Sequence, residues 1–215
     1  MESGRIRMLY RLTVVAAIVL SSIVTGLAAA QEAIGTVTRM QGQASATRES
    51  ATRPLDLNAS VFLNEVVSTG EAARLQLTFA DNTLMTLGEN TRLTLDRYVF
   101  NPGAGRGIIR FRVDGAFRFL SGQVSKLARA SVIVTTRVAN IGVRGTEFWA
   151  GPIDNLALGV LLIEGVVRVS NAAGERVLTQ PGQGTNIATA GAAPGPVTVW
   201  PQDKANRALA GVTFQ

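Results

Sequence analysis

The chain has no cysteine and no histidine, and its only lysines are Lys126 and Lys204. Without cysteine no disulfide braces the fold, so stability must come from packing and backbone pairing, which 215 residues are enough to supply. Without histidine the usual zinc and copper ligands, the commonest general acid/base and every Ser-His or Cys-His arrangement are excluded. Basic charge is almost entirely arginine, with 21 basic against 15 acidic residues for a formal charge of +6. These arginines stand singly, and aromatic residues are only 6% of the chain, so neither a backbone-tracking basic run nor a stacking row for nucleic acid is present.

Long apolar runs are missing too, except near the N-terminus. Residues 12–27 are apolar, follow Arg5, Arg7 and Arg11, and precede Ala28-Ala29-Ala30, the order of a signal peptide with its small-residue cleavage site. The run falls short of the roughly 20 residues that span a bilayer. Residues 1–30 are therefore expected to be removed before Gln31, leaving a periplasmic or extracellular protein, with an uncleaved N-terminal anchor as the alternative. The remainder is only mildly basic and of a size for one domain.

What is present reads as short strands. Residues 34–42 alternate apolar and polar and end on Gly42, and residues 43–47 continue as a second strand. The polar stretch 48–58, with Pro54, is expected to be a loop. Leu75, Leu77 and Phe79 line one face of the next strand, Asp81-Asn82 turns the chain back, and residues 108–113 and 116–120 flank a bend at Asp114-Gly115. A short helix is expected over 124–129, and residues 156–163 form the most apolar run of the second half. Strands of about five residues separated by tight turns predict an all-β fold, an elongated sandwich or a β-solenoid-like stack of short antiparallel strands. From residue 189 the Ala, Gly and Pro content predicts a loosely attached tail over 189–215.

The densest motif is Ile141-Gly142-Val143-Arg144-Gly145-Thr146-Glu147-Phe148, a β-branched and aromatic run interrupted by two glycines. The glycines allow positive φ or close backbone approach, and Arg144 between them carries a planar five-donor guanidinium. It can staple neighbouring strands or contact a partner, and both readings stay open. Arg110, Arg112 and Arg118 alternate along strands and form a candidate patch for an anion or a partner, with lipid headgroups or polysaccharide as examples. For catalysis, only Ser121 or Ser125 beside Lys126 brings a nucleophile near an amine, and Asp81, Glu89, Asp96, Glu147 and Glu164 fall at or near predicted bends where acids serve as turn residues. No Asp-x-Asp-x-Asp calcium loop occurs. No catalysis, metal or cofactor is expected.

The run from Ile141 to Thr146, followed by Glu147 and Phe148, resembles the Ile-Gly-Val-Arg-Gly-Thr-x-Phe signature of the FecR domain family. Three further blocks resemble it in order: residues 75–93, residues 115–122 with Phe117-Arg118-Phe119, and Ile163-Glu164-Gly165-Val166 with Pro181-Gly182-Gln183. Asn82, Thr91 and Thr136 depart from the family's usual glycine, serine and proline. The resemblance implies a FecR-like β domain over 31–188 that senses or scaffolds by contact with an envelope or membrane signalling protein. Signalling members carry a cytoplasmic anti-sigma region ahead of a membrane helix, whereas here residues 1–11 precede the apolar run, so no direct sigma-factor contact is expected. The competing reading is a module for carbohydrate or envelope polymer; exposure of either tryptophan, Trp149 or Trp200, beside polar turn residues would favour it, and burial of both would favour protein contact. N-terminal sequencing of the exported protein is expected to begin at Gln31; a protein that retains residues 1–30 in the membrane fraction would support the anchor instead.

Overall fold

The computed structural model describes residues 32–215, so the expected signal segment lies outside the described residues. The fold is mainly β. The strands are β1 (Ala33–Gln41), β2 (Ala44–Arg48), β3 (Ala51–Pro54), β4 (Ser60–Phe62), β5 (Val66–Thr69), β6 (Arg74–Phe79), β7 (Leu84–Leu87), β8 (Arg92–Asn101), β9 (Arg106–Asp114), β10 (Phe117–Leu120), β11 (Arg129–Thr135), β12 (Asn140–Ile153), β13 (Leu156–Asn171), β14 (Gly174–Leu178), β15 (Gln183–Ile187) and β16 (Thr198–Val199). Among the described residues one α-helix, α1 (Gln202–Ala210), follows the strands.

All the strands belong to one curled sheet, whose main path runs β3-β2-β5-β8-β9-β11-β12-β10-β7-β6-β1-β4, with β13 to β16 branching from β12. The curl brings the path's two ends together. From β3, Arg53 donates through Nη2 to the Ser60 carbonyl of β4 at 2.7 Å and to the buried Glu65 carboxylate at 2.8 Å, and Glu65 also accepts the Phe62 amide at 2.9 Å. Inside the curl, the alternating residues Leu75, Leu77 and Phe79, Ile109, Phe111 and Val113, and Phe117 and Phe119 pack into one contiguous core. That is the period-two burial their spacing demanded.

Several expectations are corrected by the structure. Residues 51–54 form β3 rather than part of a loop, and Pro54 is tolerated because β3 is an edge strand. The stack is not wholly antiparallel: β9 and β11 pair in parallel, from Arg106↔Arg129 to Arg112↔Thr135. Nor are all the strands short: β1 and β9 have 9 residues, β8 has 10, β12 has 14 and β13 has 16. The short helix is a 3-10 turn over Gln123–Lys126 that precedes β11. Nor is the segment after residue 188 loose: Trp200, Ala208 and Val212 are buried with Trp149 and Leu161 in a second apolar cluster. Its few apolar residues are enough because Trp200, Ala208 and Val212 land on one site.

Asp81, at the β6–β7 turn, is fully buried and fully engaged. Its carboxylate accepts the Thr83 hydroxyl at 2.7 Å, the Tyr98 hydroxyl at 2.9 Å and the Val124 amide at 3.0 Å, tying the turn to β8 and to the 3-10 turn. Asn82 next to it has φ +64, a conformation that asparagine accepts in place of glycine. Burial, and then the Asp81 charge, push the Tyr98 phenol well above its ordinary value near 10. A folded-state pKa above the unfolded one gives stability that is intact below the unfolded value and lost as pH rises past it. Denaturant titrations are expected to show stability falling above about pH 10, with that slope removed in Tyr98→Phe. An unchanged alkaline slope in the variant would show that Tyr98 is not the group responsible.

Candidate partner-contact surface

The Ile141–Phe148 motif lies in β12 where the strand turns a corner. Before the corner β12 pairs with β11 and the far half of β13 (Arg144↔Val166); after it, β12 pairs with β10 and the near half of β13 (Glu147↔Glu164). Two residues, Gly145 and Thr146, therefore oppose the single Gly165. This is a β-bulge with its first residue in the left-handed region, Gly145 having φ +60 and Gly165 φ +87. A Cβ on Gly165 would lie 2.1 Å from the Gly145 carbonyl oxygen, so the close approach that the glycine allows is used. Thr146 locks the bulge from inside. Its hydroxyl donates to the Val166 carbonyl at 2.7 Å and its amide donates to the Ser121 hydroxyl at 2.7 Å.

Most of the motif is thus structural. Ile141, Thr146 and Phe148 are buried, Gly142 and Val143 are half-buried, and Arg144 is exposed. Gly142 needs neither positive φ nor close approach, since its Cβ would meet only ordinary contacts, the nearest at 3.8 Å. Among the described residues the Arg144 side chain has no hydrogen-bond or ion-pair partner, so it staples nothing. It projects beside Val166, itself 40% exposed.

The candidate arginine patch is divided by the fold. Arg110 and Arg112 share the outward face of β9, as their spacing requires, and Arg112 lies 3.6 Å from Asp96. Arg118 is elsewhere, bound through Nε to Glu147 at 2.6 Å. In its place the sheet register sets Arg97 opposite Arg110, and Arg129 opposite Arg106. Sequence reasoning missed these neighbours because their alignment depends on a bulge in β8 between Thr94 and Arg97 and on a parallel pairing that no local pattern announces. Strand length is the one signal for them: β8 runs on to Asn101, which places Arg97 beside β9.

The structure does not assemble the catalytic candidates into a site. Ser121 Oγ accepts the Thr146 amide, Ser125 Oγ donates to the Gly122 carbonyl at 2.8 Å, and Lys126 is exposed, so no desolvated amine faces a free hydroxyl. Glu89 accepts the Ala72 amide at 2.9 Å, Asp96 and Glu147 pair with arginines, and Glu164 is exposed. Among the described residues no three acids cluster as a metal site. Trp149 and Trp200 are both buried, edge to face at 6.1 Å, and offer no surface for stacking a sugar.

Residues 65–168 match the protein-family model described as FecR protein. No curated protein matches the chain. Among solved structures the chain is similar to two of a proposed anti-sigma factor from Parabacteroides distasonis ATCC 8503, at 1.65 and 2.50 Å resolution, each with TM-score 0.54 and 21% identity over 68% of this chain. The chain spans 64% and 65% of the length of those structures, and the likeness is one of fold.

The three glycines of the corner predict a graded series. Gly142→Ala is expected to leave stability nearly unchanged, Gly145→Ala to cost about 1 kcal/mol for the left-handed backbone alone, and Gly165→Ala about 3 kcal/mol for backbone and clash together. Urea unfolding midpoints of the three variants check the order, and a Gly142→Ala loss as large as that of Gly165→Ala would contradict the bulge as the glycine requirement.

Proposed function

Since the chain carries a FecR domain, matched over residues 65–168, we propose that it is a non-catalytic signalling module that works by protein contact at the cell envelope. It is exported once residues 1–30 are removed, and it meets an envelope or membrane signalling protein that holds the sigma-factor contact. One observation carries the mode of contact: the motif spends its buried residues on the corner of β12 and leaves Arg144 exposed, unpartnered and next to an exposed valine. The neighbouring bulge sets where the Arg144 side chain leaves the sheet, and its guanidinium suits a carboxylate or carbonyl on a partner. The edge strand β14, paired only with β13, adds free backbone donors and acceptors for strand addition. The engaged serines and paired acids support a role without turnover, and the buried tryptophans count against the carbohydrate alternative.

The test is a crosslinking pull-down of the tagged protein from its native envelope, wild type against Arg144→Ala. Wild type is expected to capture a membrane signalling protein, and Arg144→Ala, with an unchanged Tm, to lose roughly tenfold in capture, the effect of a contact arginine worth more than about 1 kcal/mol. Recovery of cell-wall polysaccharide with no protein would overturn the reading in favour of polymer binding.

A further inference from the structure

The outward face of β8, β9 and β11, continued onto β13, carries a cluster of charge that the fold itself does not use. Directly paired residues share a face, so Arg97 and Arg110 stand side by side, as do Arg106 and Arg129, while Ile133 and Gly142 connect Arg110 across to Arg168. All five arginines are exposed. Only Arg168 has an acidic partner, Glu175; among the described residues the other four have none. Between the two arginine levels runs a short aliphatic lane, Val99 opposite Ile108, both half-exposed. The other face of β9 is fully spent on the core through Ile109, Phe111 and Val113.

Neighbouring strands are about 5 Å apart and successive outward residues about 7 Å, so these guanidinium groups are held on a flat grid finer than the Debye length of about 8 Å. Like charges directly opposite each other destabilise a sheet, and solvation alone could be met by any mixture of polar residues. The face therefore suits a partner that supplies many anionic groups in a plane. We propose that it is a docking surface for a lipid bilayer rich in anionic phospholipid, with the arginines on headgroup phosphates and the Val99–Ile108 lane resting at headgroup level. Guanidinium forks match phosphate oxygens in pairs. The patch lacks the aromatic anchors that centre most protein interfaces, whereas a charged leaflet needs no anchor, because each basic residue near it adds roughly fivefold to binding.

The test is co-sedimentation of the full chain with vesicles of phosphatidylcholine, with and without phosphatidylglycerol. The double variant Arg110→Gln/Arg129→Gln is compared with Arg48→Gln/Arg176→Gln, an equal change of charge at exposed positions outside the patch. All variants keep residues 1–30 and Arg144, so membrane effects of the first and partner effects of the second are common to every sample. Expected are binding to phosphatidylglycerol vesicles that falls with salt, a loss of tenfold or more in the first double variant, little loss in the second, and a Tm that is unchanged or raised in the first because repulsion is relieved. Equal binding to both vesicle types, or equal losses in both double variants, would overturn the proposal. So would the absence of vesicle binding alongside polyglutamate binding that Arg110→Gln/Arg129→Gln abolishes, which would assign the face to an acidic protein.

Discussion

Two paired strands of 14 and 16 residues can stay hydrogen-bonded while changing direction only where the ladder gives way; its register shifts at three points, and the corner is made at the first of them, at Gly145, Thr146 and Gly165. One extra residue on β12 increases the local twist, and the glycines remove the side chains that would collide. Everything C-terminal to β11 depends on that corner. Before it, β12 sits between β11 and β13 beside the arginine-bearing strands; after it, the same strand joins β10 and carries Phe148 and Trp149 into two apolar clusters. The Thr146 hydroxyl and the Ser121 hydroxyl take up the backbone groups that the bulge would otherwise strand, so the interruption costs the sheet few unpaired donors.

Buried polar groups do similar work at two other breaks in alternation. Asp81 replaces a simple turn with a knot joining β6, β7, β8 and the 3-10 turn, and Gly122 has to be glycine because a Cβ there would lie 2.3 Å from the Asp81 carbonyl oxygen. Glu65 and Arg53 lace the two ends of the curled sheet together, where backbone pairing alone stops. Both acids are satisfied by several donors, which is the condition under which burying a carboxylate is tolerable. The core closes because these knots fix where strands end, and the apolar faces then have one way to meet.

Local periodicity carried much of the fold. Leu75, Leu77 and Phe79 announced a half-buried strand and are buried, Asp81-Asn82 announced a turn and Asn82 has φ +64, and Gly42 joins β1 to β2 with φ +74. What depends on distant pairing was not readable. Glu164-Gly165 has the composition of a turn, yet Gly165 is a bulge inside a continuous strand, because the difference lies in what β12 offers across the ladder. The parallel alignment of β9 with β11 leaves no trace in either strand's sequence. The tail showed little apolar content, but content does not report that Trp200 would find Trp149 and seat itself over Gly184. For the candidate site the glycine-broken strand was legible and its division of labour was not: Gly145 and Thr146 make the bulge, Ile141 and Phe148 are buried, and exposure, a tertiary property, sets Arg144 apart.

The inward half of each strand is explained by packing, and the outward half by packing only in the negative sense that it must stay solvated. Solvation is indifferent to the sign of charge, and cross-strand energetics favours opposite signs or hydroxyl pairs, as at Thr38 with Thr78 and Thr47 with Thr52, each 2.9 Å apart. On β8, β9 and β11 the pairs are Arg97 with Arg110 and Arg106 with Arg129. Acids are available a short way along the same strands, at Asp96 and Asp114, and each is matched to an arginine outside those pairs, Arg112 and Arg137. Charge balance is thus kept at one end of the face and forgone at the other. A fold needs no such asymmetry; a surface that meets anions from outside does.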